Sequence, residues 1–330
     1  MTIPSFKILK SRSAERLAAA DNQKKIVLIY AVIITILAAL VTIINYTLKL
    51  QISQLGGLSN MGLRSILSTV QSVLPMVQSI VVMCLELGYI AAMLRIAREQ
   101  YASEQTLKLG FDRFWVMLRC TLIQGGIYTL AGLAAFWVSM QIYLITPLSG
   151  SLMAMVTPEM ADPNILMEML QDPVFSSQII QTMIPMLAIF GIAYAVLFIP
   201  ISYSLRMAKY VIIDKPGQGA MFAIRESRKM MKGSRMRLFK LDLSLWWWYT
   251  ISIGSMLLCY GDMLLPMIDI PLPFSADVAY FVFYALFLAA QFAACFCLRN
   301  YVEVIYAQVY NALKPREKEP GVVLGNVFQM

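Results

Sequence analysis

Six apolar runs, at residues 26–48, 70–93, 114–145, 179–205, 245–266 and 280–298, constrain this chain more than any other feature. Each is long enough to cross a hydrocarbon core of about 30 Å, which takes about 20 helical residues. With 59% hydrophobic residues, 14% charged residues and a mean hydropathy of +0.68, the chain lies well outside the balance of a soluble domain. The expected fold class is therefore all-α, a polytopic membrane helix bundle of six transmembrane helices. The runs at 70–93 and 114–145 sit in helical patterns of over 30 residues, so those helices should tilt or project beyond the bilayer.

Charge sorts the loops. Lys7, Lys10, Arg12, Arg16, Lys24 and Lys25 precede the first run, Arg95, Arg98, Lys108 and Arg113 follow the second, and Arg299, Lys314, Arg316 and Lys318 follow the last. Between Arg206 and Lys240 lie ten of the chain's 27 Lys and Arg residues. The alternate loops are acidic, with only Glu159, Asp162, Glu168 and Asp172 at 147–178 and only Asp262, Asp269 and Asp277 at 261–279. Because cationic short loops stay on the cytoplasmic side, both termini are expected inside. Lys49 and Arg64 depart from the rule, and their stems can lie along apolar surface at an interface. The first run follows a charged arm and has no small-residue cleavage site, so it reads as a retained anchor.

The expected organisation is a cytoplasmic arm at 1–25, a transmembrane domain at 26–313 and a cytoplasmic tail at 314–330, arm and tail being flexible. The domain includes the acidic extracytoplasmic loop at 147–178 and a basic cytoplasmic segment at 206–244. Within that segment a helix is expected from Gly219 to Lys232, closed by Gly233 at C′. Ala220, Ala223, Ile224, Ser227, Met230 and Met231 share one face, and Arg225, Lys229 and Lys232 recur on the other. Ser234 can cap a further helix carrying Arg235, Arg237 and Lys240 towards Trp246, Trp247 and Trp248, which belong at the headgroup level. Two roles compete for this amphipathic element between helices four and five. It lies on anionic headgroups as an interfacial helix, or it docks a cytoplasmic partner or a phosphate-bearing ligand. The candidate contact residues are Arg225, Arg228, Lys229, Lys232, Arg235 and Arg237.

Chemistry is sparse. The chain has no His, no Gly-rich phosphate loop and no nucleophile elbow, so no catalytic residue, metal ligand or cofactor site is assigned and enzymatic activity is not expected. The five cysteines and the Met-rich stretch at 153–169 read as apolar filling. A net charge of +8 reflects topology, and no soluble basic domain points to nucleic acid. Glu86 and Arg119 lie at similar depth in the second and third runs and could pair there as a structural lock, or serve proton or substrate coupling. Gln78, Gln124, Gln181 and Gln291 are expected to hydrogen-bond neighbouring helices, and Gly125, Thr129, Gly132, Ala131 and Ala135 supply small-residue spacing for close packing.

Several runs also carry a resemblance: 205–210 (Leu-Arg-Met-Ala-Lys-Tyr), 213–216 (Ile-Asp-Lys-Pro), 223–228 (Ala-Ile-Arg-Glu-Ser-Arg), 231–233, 237–239, 241–244 and 309–313 (Val-Tyr-Asn-Ala-Leu). Together with the six-run layout they resemble the bacterial integral membrane proteins of domain-of-unknown-function family 975. Met236, Ile201 and Met267 stand where that family favours Trp, Gly and Tyr, and the 147–178 loop is an elaboration. The resemblance implies a protein of the bacterial cytoplasmic membrane and brings no activity with it. The functional expectation is a non-enzymatic membrane protein whose basic element engages anionic lipid or a partner protein, with a second copy of the chain as a further partner. The alternative is a small-solute or lipid transporter with a polar, water-reachable site near Glu86.

Overall fold

The computed structural model describes residues 3–20, 22–55, 60–146, 150, 173–262, 265 and 275–314. Among them there is no strand. The helices are α1 (Phe6–Ala19), α2 (Gln23–Gln54), α3 (Met61–Ala97), α4 (Phe114–Ile145), α5 (Pro173–Leu205), α6 (Ala208–Asp214), α7 (Ala220–Met230), α8 (Arg235–Leu243), α9 (Trp246–Leu258), α10 (Ala276–Ala294) and α11 (Asn300–Leu313). Five segments among the described residues are long and apolar enough to cross a membrane: Gln23–Gln54, Met61–Ala97, Phe114–Ile145, Met183–Asp214 and Asp277–Leu313. The sixth expected run is described as continuous helix over the 13 residues of α9, with helical residues again at 261, 262 and 265. At about 1.5 Å per residue, that length falls short of a hydrocarbon core. Residues 147–149 and 151–172 of the expected loop, with its Met-rich stretch, and the tail beyond Lys314 lie outside the described residues, while 173–178 already belong to α5.

The chain forms two compact units. One comprises residues Arg119–Arg206, the other Met1–Leu118 with Met207–Met330. In the Arg119–Arg206 unit an aromatic ladder joins α4 to α5. Tyr128 meets Phe198 at 5.0 Å between ring centres, Phe198 stacks on Tyr194, and Phe190 stacks on Tyr194 and meets Phe136 edge-on. Ala131 and Ala135 are buried, so part of the small-residue pattern on α4 does serve packing, whereas a Cβ at Gly132 would meet the Tyr194 ring at 3.7 Å, an ordinary contact. Gly125 faces open space.

In the larger unit the core is concentrated at one end. The second half of α3 (Cys84, Leu87, Tyr89, Met93, Leu94), the start of α2 (Ile26, Val27, Tyr30), α6 and most of α11 are buried there. The first half of α3 is exposed, with Ile66, Val73 and Met76 uncovered. At 37 residues α3 is about 55 Å long, well beyond the hydrocarbon thickness, as expected for a helix that tilts or projects.

Close backbone approach builds this end. A Cβ on Gly88 would strike the backbone of Leu107, and one on Gly110 would strike the carbonyl of Cys84. Residues 104–112 therefore lie directly on α3. That helix ends in a Schellman turn, in which Gln100 N–H donates to the Arg95 carbonyl at 2.9 Å and Glu99 N–H to that of Ile96 at 3.0 Å. Glu99 holds the left-handed position, at φ 59°, where glycine is usual. The N-terminal arm is no loose tail: α1 buries Leu9, Ser13 and Leu17, and the Tyr301 hydroxyl donates to the Lys10 carbonyl at 3.4 Å.

Candidate functional site

Two polar assemblies occupy the charged end of the larger unit, one enclosed and one exposed. The enclosed one is built by α3, α6 and α11. Lys209 Nζ donates to Glu86 Oε2 at 2.8 Å and Arg299 Nη2 to Glu86 Oε1 at 3.3 Å, so both carboxylate oxygens are engaged. Arg299 Nε lies 4.0 Å from Glu303 Oε1, and the Tyr210 hydroxyl donates to Glu303 Oε2 at 3.2 Å. The Arg299 guanidinium also lies over the rings of Tyr30 and Tyr89, which stack at 4.3 Å. A π-helical turn at Cys295–Arg299, between α10 and α11, sets the local register of Arg299.

The network extends along α6. Tyr210 stacks on Tyr310 at 5.3 Å, and the Tyr310 hydroxyl donates to Asp214 at 3.0 Å. Arg98 grips Asp214 with two bonds, at 2.6 and 2.9 Å, while Lys314 Nζ adds a third cationic contact at 2.8 Å. The hydrogen bonds to Asp214 push the Arg98 guanidinium further above its already high range, so it stays charged. Arg98 Nε donates to Asn311. Tyr306 ties in α8 through Asp242 at 2.6 Å, and Arg113 donates to the carbonyls of Ile212 and Ile213. Two acids, Glu86 and Glu303, thus balance Lys209 and Arg299, while Asp214 bridges Arg98 and Lys314. Such an assembly fastens helix ends, because removing one member strands another charge in a half-buried setting.

Arg119, the partner expected for Glu86, is exposed on α4, and the contacts that the structure gives Glu86 are those of Lys209 and Arg299. Lys209, Tyr210, Asp214 and Tyr310 come from runs that carry the family resemblance, so a polar role for them was within reach of the sequence. Arg299 reads there only as a boundary charge, and nothing in the sequence announces the Tyr30 and Tyr89 stack. Two of the four membrane glutamines behave as expected: Gln291 donates to Ser255 at 2.7 Å, and Gln124 to the Leu205 carbonyl at 3.4 Å.

The exposed assembly is the basic element. In α7 the buried residues are Ala220, Ala223, Ile224, Ser227 and Met230, with Met231 buried just beyond, which is the apolar face expected. That face packs on α6 of the same chain. Gly233 adopts φ 83° and turns the chain into α8, but the helix stops at Met230 with Met231 as its capping residue, so Gly233 lies one residue beyond the C′ position expected of it. Ser234 stands at the cap position of α8, but its side chain makes no capping hydrogen bond. Arg225, Arg228, Lys229, Lys232, Arg235 and Arg237 are all exposed, and no ion pair among the described residues engages any of them.

A cavity of about 740 Å³ opens where α1, α2 and α3 meet, lined by Arg12, Glu15, Arg16, Gln23, Glu99 and Tyr101 among others; Glu86 does not line it. Arg16 spans this corner, donating to the Ala97 carbonyl and pairing with Glu99 at 3.1 Å.

No curated protein and no solved structure matches the chain. A family model described as "Protein of unknown function (DUF975)" matches residues 5–317, nearly the whole of the 330, and takes in both polar assemblies; the chain belongs to that family.

Proposed function

We propose that this protein is a six-span, non-enzymatic component of the bacterial cytoplasmic membrane, with both termini on the cytoplasmic side, and that its basic element engages anionic lipid headgroups. The observation that carries the reading is the division of labour within α7 and α8. The buried apolar residues of α7 are spent on packing inside the protein, while six cations on α7, on α8 and in the turn between them stand exposed, none of them in an ion pair among the described residues. A surface of that kind attracts polyanionic surroundings, each cation near an anionic membrane contributing about 1 kcal/mol. The enclosed network supports the role mechanically, since Asp242 and Asp214 tie α8 and α6 to α11 and hold the basic face in one orientation.

The test is the triple variant Arg225→Gln, Lys229→Gln, Lys232→Gln, reconstituted in vesicles with and without phosphatidylglycerol. Enrichment of anionic lipid around the protein should weaken by up to ~3 kcal/mol at low salt. Added salt should erase most of the difference from wild type, because screening shortens to about 3 Å at 1 M. A variant that enriches anionic lipid as wild type does would remove the basis for this function. Loss of a copurifying protein with lipid enrichment intact would assign the face to a protein partner instead.

A further inference from the structure

We propose that α8 and the first turn of α9 form an interfacial foot, which seats Met236, Leu243 and Trp246 among the headgroups of the anionic leaflet and places Arg235, Arg237 and Lys240 at their phosphates. The inference rests on the membrane reading above and assigns the interfacial role, which the sequence leaves to the basic element as a whole, to α8 rather than α7. Insertion needs uncovered apolar surface. In α7 that surface is spent on α6, and the side chains left outside are chiefly charged.

In α8 the arrangement differs. Leu238, Leu241 and Asp242 face inwards and anchor the helix. On its outer side Met236, Lys240 and Leu243 follow one another at i, i+4 and i+7, so they share a face. Met236 is 65% exposed and Leu243 58% exposed, and Arg235 and Arg237 flank Met236 on either side of that face. A stripe of large apolar side chains with a lysine between them and arginines beside them is the composition of a helix lying in an interface. The occupant follows from continuity: one turn past Leu243 the chain reaches Trp246, 65% exposed, and enters α9, whose Ile253, Met256 and Leu257 are more than half uncovered. An exposed indole between a cationic helix and an apolar one belongs at the headgroup level. The tether from Lys10 Nζ to the Ser244 carbonyl, at 3.0 Å, fixes the α8–α9 corner to α1.

The experiment uses the full chain in nanodiscs of phosphatidylcholine, with or without phosphatidylglycerol, and its five native cysteines replaced. Nitroxide labels are placed at Met236→Cys, Leu243→Cys and, as the reference, Arg228→Cys on α7. With phosphatidylglycerol present, the labels at 236 and 243 should be shielded from a water-soluble nickel relaxant and reached by oxygen, and the label at 228 should show the reverse. Water-like accessibility at all three positions would overturn the foot. In the variant Arg235→Gln, Arg237→Gln, Lys240→Gln, retention of copurified anionic lipid should fall on the order of a hundredfold, and unchanged retention would overturn the phosphate contacts. The foot and the wider basic face fail separately: loss of lipid enrichment in the α7 triple variant beside water-like labels at 236 and 243 rejects the foot alone.

Discussion

Glu86 illustrates how far single residues can be read. A carboxylate inside an apolar run predicts a cationic partner, because an unpaired charge at that depth is costly. Which cation it finds depends on where distant helices end. Lys209 is 123 positions away in sequence and Arg299 213 positions away, and the latter lies at a π-helical turn that no hydrophobic period reveals. A double-mutant cycle should therefore give a coupling of about 1–3 kcal/mol between Glu86→Gln and Lys209→Met, read as thermal stability in detergent. Glu86→Gln combined with Arg119→Met should be additive within about 0.5 kcal/mol. A large coupling to Arg119 would instead assign Glu86 to the pair expected from the sequence. The exposed cations are easier to read, since surface charge follows from amphipathic spacing alone: all six candidate residues on α7, on α8 and in the turn between them lie on the outside.

For elements, legibility tracks period. The apolar face of α7 and the left-handed turn at Gly233 emerge where spacing predicts them, although the helix stops at Met230, because 3.6-residue periodicity and a left-handed glycine are local signals. Close backbone contact leaves no such trace. Gly88 and Gly110 look like ordinary glycines in sequence, yet each admits a neighbouring main chain that cannot step aside as a flexible side chain would. Gly110→Ala should cost several kcal/mol, on the order of the largest single-substitution effects, and Gly88→Ala should be similarly severe. Gly62→Ala meets nothing within 4 Å on its helix and should be neutral or slightly stabilising. Thermal unfolding of the three variants in one detergent decides it: a Gly110→Ala protein as stable as Gly62→Ala would show that residues 104–112 do not sit against α3 as described.

At the scale of the whole molecule, the buried core and the positive loops coincide. Arg98, Arg113 and Arg299 lie at helix ends within the buried part of the larger unit, which is packed like the core of a small domain. Hydropathy alone foresees the long spans but says little of this domain, whose contacts join residues hundreds of positions apart. Topology then has a sharp test. Cysteines introduced at Ser149 and Lys232, in protein freed of its native thiols, should react from opposite faces of the membrane, with position 232 reached only from the cytoplasm. Lys232 serves better than its neighbour Ser234, which the structure buries at 8% exposure and a reagent would miss for reasons unrelated to sidedness. Labelling of both positions from outside would overturn the arrangement of both termini inside, and with it the placement of the basic face against the anionic cytoplasmic leaflet.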